Sequence, residues 1–170
     1  MRIYFAVAMS GRTGNELIAQ AKKTAQLCKL YKVKALDPIV SEHIKPSDDV
    51  LANGGKLLQR YWQRDKQMIE NSHVLIDRTA WMKSEGSAHE CGFNRYHLHH
   101  PTIRVFPGLK ESIAQLEDDL ITETEAEAVA LAVEHWGSWQ KRLRWKWRIF
   151  KKSYWNLLKV RLNWFLDWRD

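Results

Sequence analysis

Three short apolar runs set the plan of this chain: Arg2 to Ala8, His73 to Asp77, and Thr102 to Phe106, each parted from the next by stretches long enough for helices. Runs this short and this apolar suit strands buried on both faces, and strands alternating with helices give a parallel sheet covered on both sides. The expected fold class is therefore α/β, a Rossmann-like parallel sheet flanked by helices, with a basic helical extension at the C-terminus. The first covering helix runs from about Asn15 to Tyr31, with Leu17, Ile18, Ala21, Ala25 and Cys28 on one face. A second strand falls in Val33–Leu36 or Ile39–Val40, with Asp37-Pro38 breaking the run. The breaker Asn53-Gly54-Gly55 precedes a helix over about Lys56–Asn71, with Leu57, Tyr61, Met68 and Ile69 turned inward. Further helices are expected at about Ser87–His97, Lys110–Asp119 and Glu123–His135.

A chain of 170 residues with 45% hydrophobic content can build one sizeable core. No early segment pairs a basic start with a long apolar run and a small-residue cleavage site, and no apolar run reaches membrane-spanning length. The expectation is a cytoplasmic protein. Cys28 and Cys91 lack metal-ligand spacing and read as reduced thiols, and neither a metal nor another cofactor is expected.

Charge divides the chain in two. Residues 139–170 hold ten Lys/Arg and two Asp, a net of +8, so the whole-chain +7 leaves the other 138 residues at −1. Six of the nine tryptophans also lie in that tail. The division expected is a catalytic domain over 1–137 and a basic, tryptophan-rich helical tail over 138–170. In the tail, Leu143, Trp147, Phe150, Tyr154 and Leu157 recur at helical steps, with Arg144, Arg148, Lys151, Lys152 and Lys159 on other faces. Such a helix suits three roles: docking on its own core or a second subunit, lying on an anionic membrane surface, or gripping nucleic acid.

The chemistry concentrates after the second apolar run. His73–Asp77 leads into Ser84-Glu85-Gly86-Ser87-Ala88-His89-Glu90-Cys91-Gly92. A strand that empties through a Ser/Gly-rich loop into a helix is where open α/β sheets hold ligands. The helix is expected to begin near Ser87, its N–H groups and dipole favouring an anion. Glu90 lies one turn in, flanked by Gly86 and Gly92. A glutamate there reads as a nucleophile presented beside an anion pocket or as an ordinary surface charge complementing the dipole, and spacing alone leaves both readings open.

Three segments together resemble the nucleoside 2-deoxyribosyltransferase superfamily: Ile3-Tyr4-Phe5 with the Ser10-Gly11-Arg12 loop, Arg64-Asp65 in the middle helix, and Ser84-x-Gly86-x-x-x-Glu90-x-Gly92. The similarity covers roughly residues 2–110 and is greatest to the 2′-deoxynucleoside 5′-phosphate N-hydrolases. It implies that Glu90 attacks C1′ of a nucleoside or nucleotide, with Asp65 supplying the proton to the departing base and Tyr4 near the sugar. Asp77 is a second candidate acid. Ser84 matches a serine that binds the 5′-phosphate; Gly86, Ser87, Ser10, Gly11 and Arg12 stand where further contacts would fall, and His89 precedes the nucleophile. Ala8 departs from the pattern, standing where the hydrolases carry a phosphate-binding serine. Family members borrow an active-site residue from a neighbouring subunit, for which Ser112 is the candidate, so the resemblance implies a homo-oligomer. The function implied is cleavage of the N-glycosidic bond of a (deoxy)nucleoside 5′-monophosphate. Alternatives are base exchange by a nucleoside 2-deoxyribosyltransferase, cleavage of a dinucleotide such as NAD, and nucleic-acid or membrane binding on an inactive version of the fold.

Overall fold

The computed structural model describes residues 1–9, 12–41, 56–79, 84–108, 120–145, 147, 150 and 151, with backbone only at 41 and 56–61. Its elements run β1 (Arg2–Ala6), α1 (Gly14–Leu30), β2 (Lys34–Leu36), α2 (Pro38–Ser41), α3 (Lys56–Glu70), β3 (Val74–Asp77), α4 (Glu85–Phe93), a π-helical turn (Asn94–Leu98), β4 (Thr102–Val105), β5 (Leu120–Thr122) and α5 (Glu125–Trp136). The five strands form one sheet in the order β2-β1-β3-β4-β5, every neighbouring pair parallel.

Alternation along the strands assigns the two faces of the sheet. Ile3, Phe5, Val74, Ile76, Ile103 and Val105 point to one side, where Cys28 of α1 and Ala128, Val129, Ala132 and Trp136 of α5 cover them. Tyr4, Ala6 and Leu75 point to the other, against Ile69 of α3 and Cys91 of α4. A fully buried Ile or Leu contributes about 1.5–3 kcal/mol, against a net of about 0.5–1.5 kcal/mol for a hydrogen bond. The packing of helices onto both faces is therefore the larger stabilising term. Side-chain caps start the helices: Thr13 with Glu16 forms a capping box on α1, Thr124 with Glu127 another on α5, and Ser84 caps α4.

Several details differ from the sequence reading. β5 was not expected; a three-residue segment becomes a strand because Ile103–Val105 offers it an edge, with Ile103 opposite Leu120 and Val105 opposite Thr122. Of the two places for the second strand, Lys34–Leu36 pairs with β1, while Ile39 and Val40 fall in α2. On α1, Thr24 takes the inward position and Ala25 is exposed, because the Thr24 hydroxyl meets Glu125 at 2.6 Å and Arg78 at 2.7 Å. α4 begins at Glu85, two residues before Ser87, since Ser84 accepts from the Ser87 N–H. The expected helix at 110–119 lies outside the described residues, as do the side chains of Leu57 and Tyr61.

After Gly137 the chain is helical over 139–145 and at residues 147, 150 and 151. Its first turns dock on the body. Trp145 packs edge-on against Trp136, ring centroids 5.4 Å apart, and its Nε1 donates to the His99 carbonyl at 3.3 Å. Arg142 donates to the Trp136 and Gly137 carbonyls at 3.0 and 3.4 Å. No helix among the described residues is long and apolar enough to cross a membrane.

Candidate active site

The strand order reverses between β1 and β3, and the crevice beyond the carboxyl ends of strands at such a reversal is the standard ligand site of open α/β sheets. Tyr4 lies opposite Leu75 and Ala6 opposite Asp77 across that junction. The loops leaving the two strands are joined, with the Ala8 N–H donating to Thr79 Oγ1 at 2.7 Å and the Arg78 N–H to the Ala6 carbonyl at 3.3 Å.

Asp77 fastens α4 to this point. One carboxylate oxygen accepts from the Ser87 hydroxyl at 2.9 Å and from the Thr79 N–H at 3.2 Å, and the other receives the Cys91 thiol at 3.6 Å. Burial and the Asp77 charge push the Cys91 thiol well above its usual range, which keeps it an inert donor. Ser84 Oγ accepts from the Ser87 N–H at 3.4 Å. Both serines thus help set the position of α4.

That position turns Glu90 inward. Glu90 is 7% exposed and Asp65, reaching down from α3, 5%. Tyr4 is wholly buried beside them on β1. Burial first, then the charges of Asp65 and Asp77, raise the Glu90 carboxyl well above the usual carboxylate range; the Tyr4 hydroxyl and Arg78 oppose the rise by favouring its ionised form. The Tyr4 phenol is likewise pushed up by burial and by Glu90 and Asp65. Among the described residues neither the Tyr4 hydroxyl nor Glu90 Oε2 has a hydrogen-bond partner of ordinary geometry, although the phenol favours the ionised form of Glu90. An unsatisfied buried polar group costs about 1–3 kcal/mol, and costly, perturbed groups of this kind cluster at functional sites.

Behind Glu90 runs a buried polar chain that sequence reasoning did not find. Arg78 pairs with Asp37 at 2.9 Å, both side chains sealed from solvent, and also donates to Thr24 Oγ1 at 2.7 Å. Its guanidinium sits 5.6 Å from the centre of the Phe5 ring. Arg12 approaches the same charge: burial, then Arg78, lower its pKa, while its Nη1 donates to Gln20. The one available signal for Arg78 was the polar Asp77-Arg78-Thr79 run directly after an apolar strand.

A cavity of about 640 Å³ lies along α4, with Asp77, Ser84, Ser87, Cys91, Arg95 and Arg104 on its wall. Glu90 is not on that wall. It occupies the flank of α4 turned toward α3 and Tyr4, so the cavity borders Asp77 and the anion-suited start of the helix but neither Glu90 nor Asp65. Space over Gly86 is open, the nearest atom to an added Cβ being Ser84 Oγ at 3.9 Å. His89 is exposed and meets the half-buried Trp62 edge-on, centroids 4.7 Å apart. The structure thus brings Tyr4, Asp65, Asp77, Ser84, Ser87 and Glu90 to one end of the sheet. Ser10, Gly11 and Ser112 lie outside the described residues. Among the described residues, no cluster of three or more His, Cys, Asp or Glu is arranged to hold a metal ion.

No family model matches the chain, and no curated protein matches it. Solved structures do. One is a 2-deoxyribosyltransferase from the psychrotolerant bacterium Bacillus psychrosaccharolyticus, described as a biocatalyst for nucleoside synthesis. It superposes with a TM-score of 0.51 at 18% identity, over 76% of this chain and 90% of its own. What the two chains share is the fold. The shared part is the five-stranded parallel sheet with its covering helices.

Proposed function

We propose that residues 1–137 cleave the N-glycosidic bond of a (deoxy)nucleoside 5′-monophosphate, with Glu90 as nucleophile. The observation that carries this reading is a buried Glu90 beside Asp65 and Tyr4 at the point where the strand order reverses. Two adjacent buried carboxyls hold a proton between them more tightly than either would alone. Glycosidic cleavage needs that combination: an anion beneath C1′ and an acid for the leaving group. In the proposed step the Glu90 carboxylate bonds to C1′ as the C1′–N bond breaks, and Asp65 delivers its proton to the departing base. Water then attacks C1′, returns a proton to Asp65 and frees Glu90 from the glycosyl ester. Tyr4 favours the ionised form of Glu90 that the attack requires, against the burial that raises its pKa.

The 5′-phosphate is assigned to the start of α4, where the first N–H groups of a helix lack intrahelical acceptors and the dipole favours negative charge. Ser84 and the open backbone at Gly86 fit that role, with Ser10, Gly11 and Arg12 from the β1 loop. His89 is assigned to the base side and Ser112 to the site of a neighbouring copy in a homo-oligomer.

A second reading, transfer of the deoxyribosyl group to another base, is favoured by the fold shared with a 2-deoxyribosyltransferase. A panel of deoxy- and ribonucleotides assayed for free base, with and without an added second base, tests both. Release of base that Glu90→Gln abolishes supports the first, and exchange only when a second base is present supports transfer. No turnover on any nucleotide would leave a binding protein on an inactive fold.

A further inference from the structure

Among the described residues before Gly137, the exposed large apolar side chains form no stripe: Leu30 and Tyr31 end α1, Val40 lies in α2 and Tyr96 in the π-helical turn. The helix after Gly137 is the exception. Trp139, Leu143, Trp147 and Phe150 are 62%, 53%, 60% and 59% exposed, and their spacing places all four on one face. Trp147 and Phe150 stack, centroids 5.8 Å apart at 9°, and Lys151 Nζ stands 5.8 Å from the Trp147 ring centre. Contiguous apolar patches of this kind mark interaction sites.

The helix has already used another face to dock. Trp145 and Arg142 hold it to Trp136, Gly137 and His99, and Trp145 lies about 120° or more around the helix from each of the four exposed residues. Self-docking therefore accounts for Trp145, while the four stripe residues stay exposed among the described residues. The surrounding charge selects the partner. Arg144 and Lys151 are exposed beside the stripe, and residues 139–170 together carry +8. An unbroken line of Trp, Leu, Trp and Phe with cations at its edge matches a helix lying flat in a lipid interface, its indoles at headgroup level and its lysine and arginine stems reaching outward. Nucleic acid would ask for the reverse, with cations along the contact line and aromatics opening between them.

We propose that the helix beginning at Trp139 binds an anionic membrane surface, seating Trp139, Leu143, Trp147 and Phe150 in the headgroup–acyl boundary and holding the catalytic domain beside the bilayer. The test uses the full chain with vesicles of phosphatidylcholine alone and of phosphatidylcholine mixed with phosphatidylglycerol, read by co-sedimentation and tryptophan emission. Binding to the mixed vesicles with a blue shift, weakened by salt, is expected. The triple variant Leu143→Ser, Trp147→Ser, Phe150→Ser should partition about a hundredfold more weakly. Circular dichroism and thermal melting of that variant check that the domain is intact, and base release in vesicle-free buffer is read separately, so failure here leaves the proposed chemistry standing. Three results would overturn the proposal: no binding to the mixed vesicles, equal binding to neutral ones, or capture of single-stranded DNA without vesicle binding. A stripe that instead drives self-association, with the triple variant smaller in solution and wild type indifferent to vesicles, would overturn it too.

Discussion

Arg78 places Nη1 2.9 Å from an Asp37 carboxylate oxygen with both side chains closed off from water, joining the end of β3 to the segment just after β2. Removing one member of a buried ion pair strands the other, at a cost of about 3–5 kcal/mol. Arg78→Met should lose that much stability in urea denaturation. Arg78→Met combined with Asp37→Leu should recover a large share, because no charge is then left without its counterion. Equal losses in the single and double variants would show that the pair acts through packing alone.

Glu90→Gln should abolish base release and raise stability at neutral pH. The sign follows from the carboxyl being raised above its ordinary 4.5 in the folded state. Between the unfolded and folded values the native protein binds more protons than the unfolded chain, so wild-type stability falls as pH climbs through that window. Glutamine carries no such penalty. Denaturation curves should separate the two proteins at pH 8 and merge near pH 4; a variant less stable at pH 8 contradicts the assignment.

Tyr4→Phe removes the hydroxyl that favours ionised Glu90. The acid limb of the pH–rate profile should move to higher pH, and kcat should drop on the order of tenfold or more at neutral pH. A profile that keeps its position while the rate falls would assign Tyr4 to packing.

His73 accepts the Arg2 N–H on Nδ1 at 2.9 Å, and burial, then Arg142 and Arg2, lower its pKa to about 4. Here the unfolded chain binds the extra proton, so stability is present above the unfolded value of about 6.5 and is lost as pH falls toward 4. His73→Asn, which can still offer an acceptor, should flatten that acid loss in melts taken between pH 7 and pH 4.

The sheet was largely legible because β1, β3 and β4 are apolar runs that no helix pattern explains. β5 was not, since Leu120–Thr122 is short, follows two aspartates and becomes a strand only through its neighbour. Hydropathy favours Ala25 over Thr24 for the inward position because it counts a threonine as polar and cannot see the guanidinium that Thr24 meets. The loop-to-helix motif singles out Glu90, and the resemblance adds Asp65 and Tyr4; periodicity puts each on an element but does not bring three distant elements to one point. Arg78 and Asp37 meet only because β1, flanked by β2 and β3, brings the ends of those two strands within reach, a fact of strand order that local pattern does not encode.

The three donors gathered by Asp77 have a practical corollary for anyone redesigning this protein. Because two of the three, Ser87 and Cys91, lie on α4, that single carboxylate bolts the helix to the end of β3, and any redesign that keeps Asp77 should leave Glu90 where it stands.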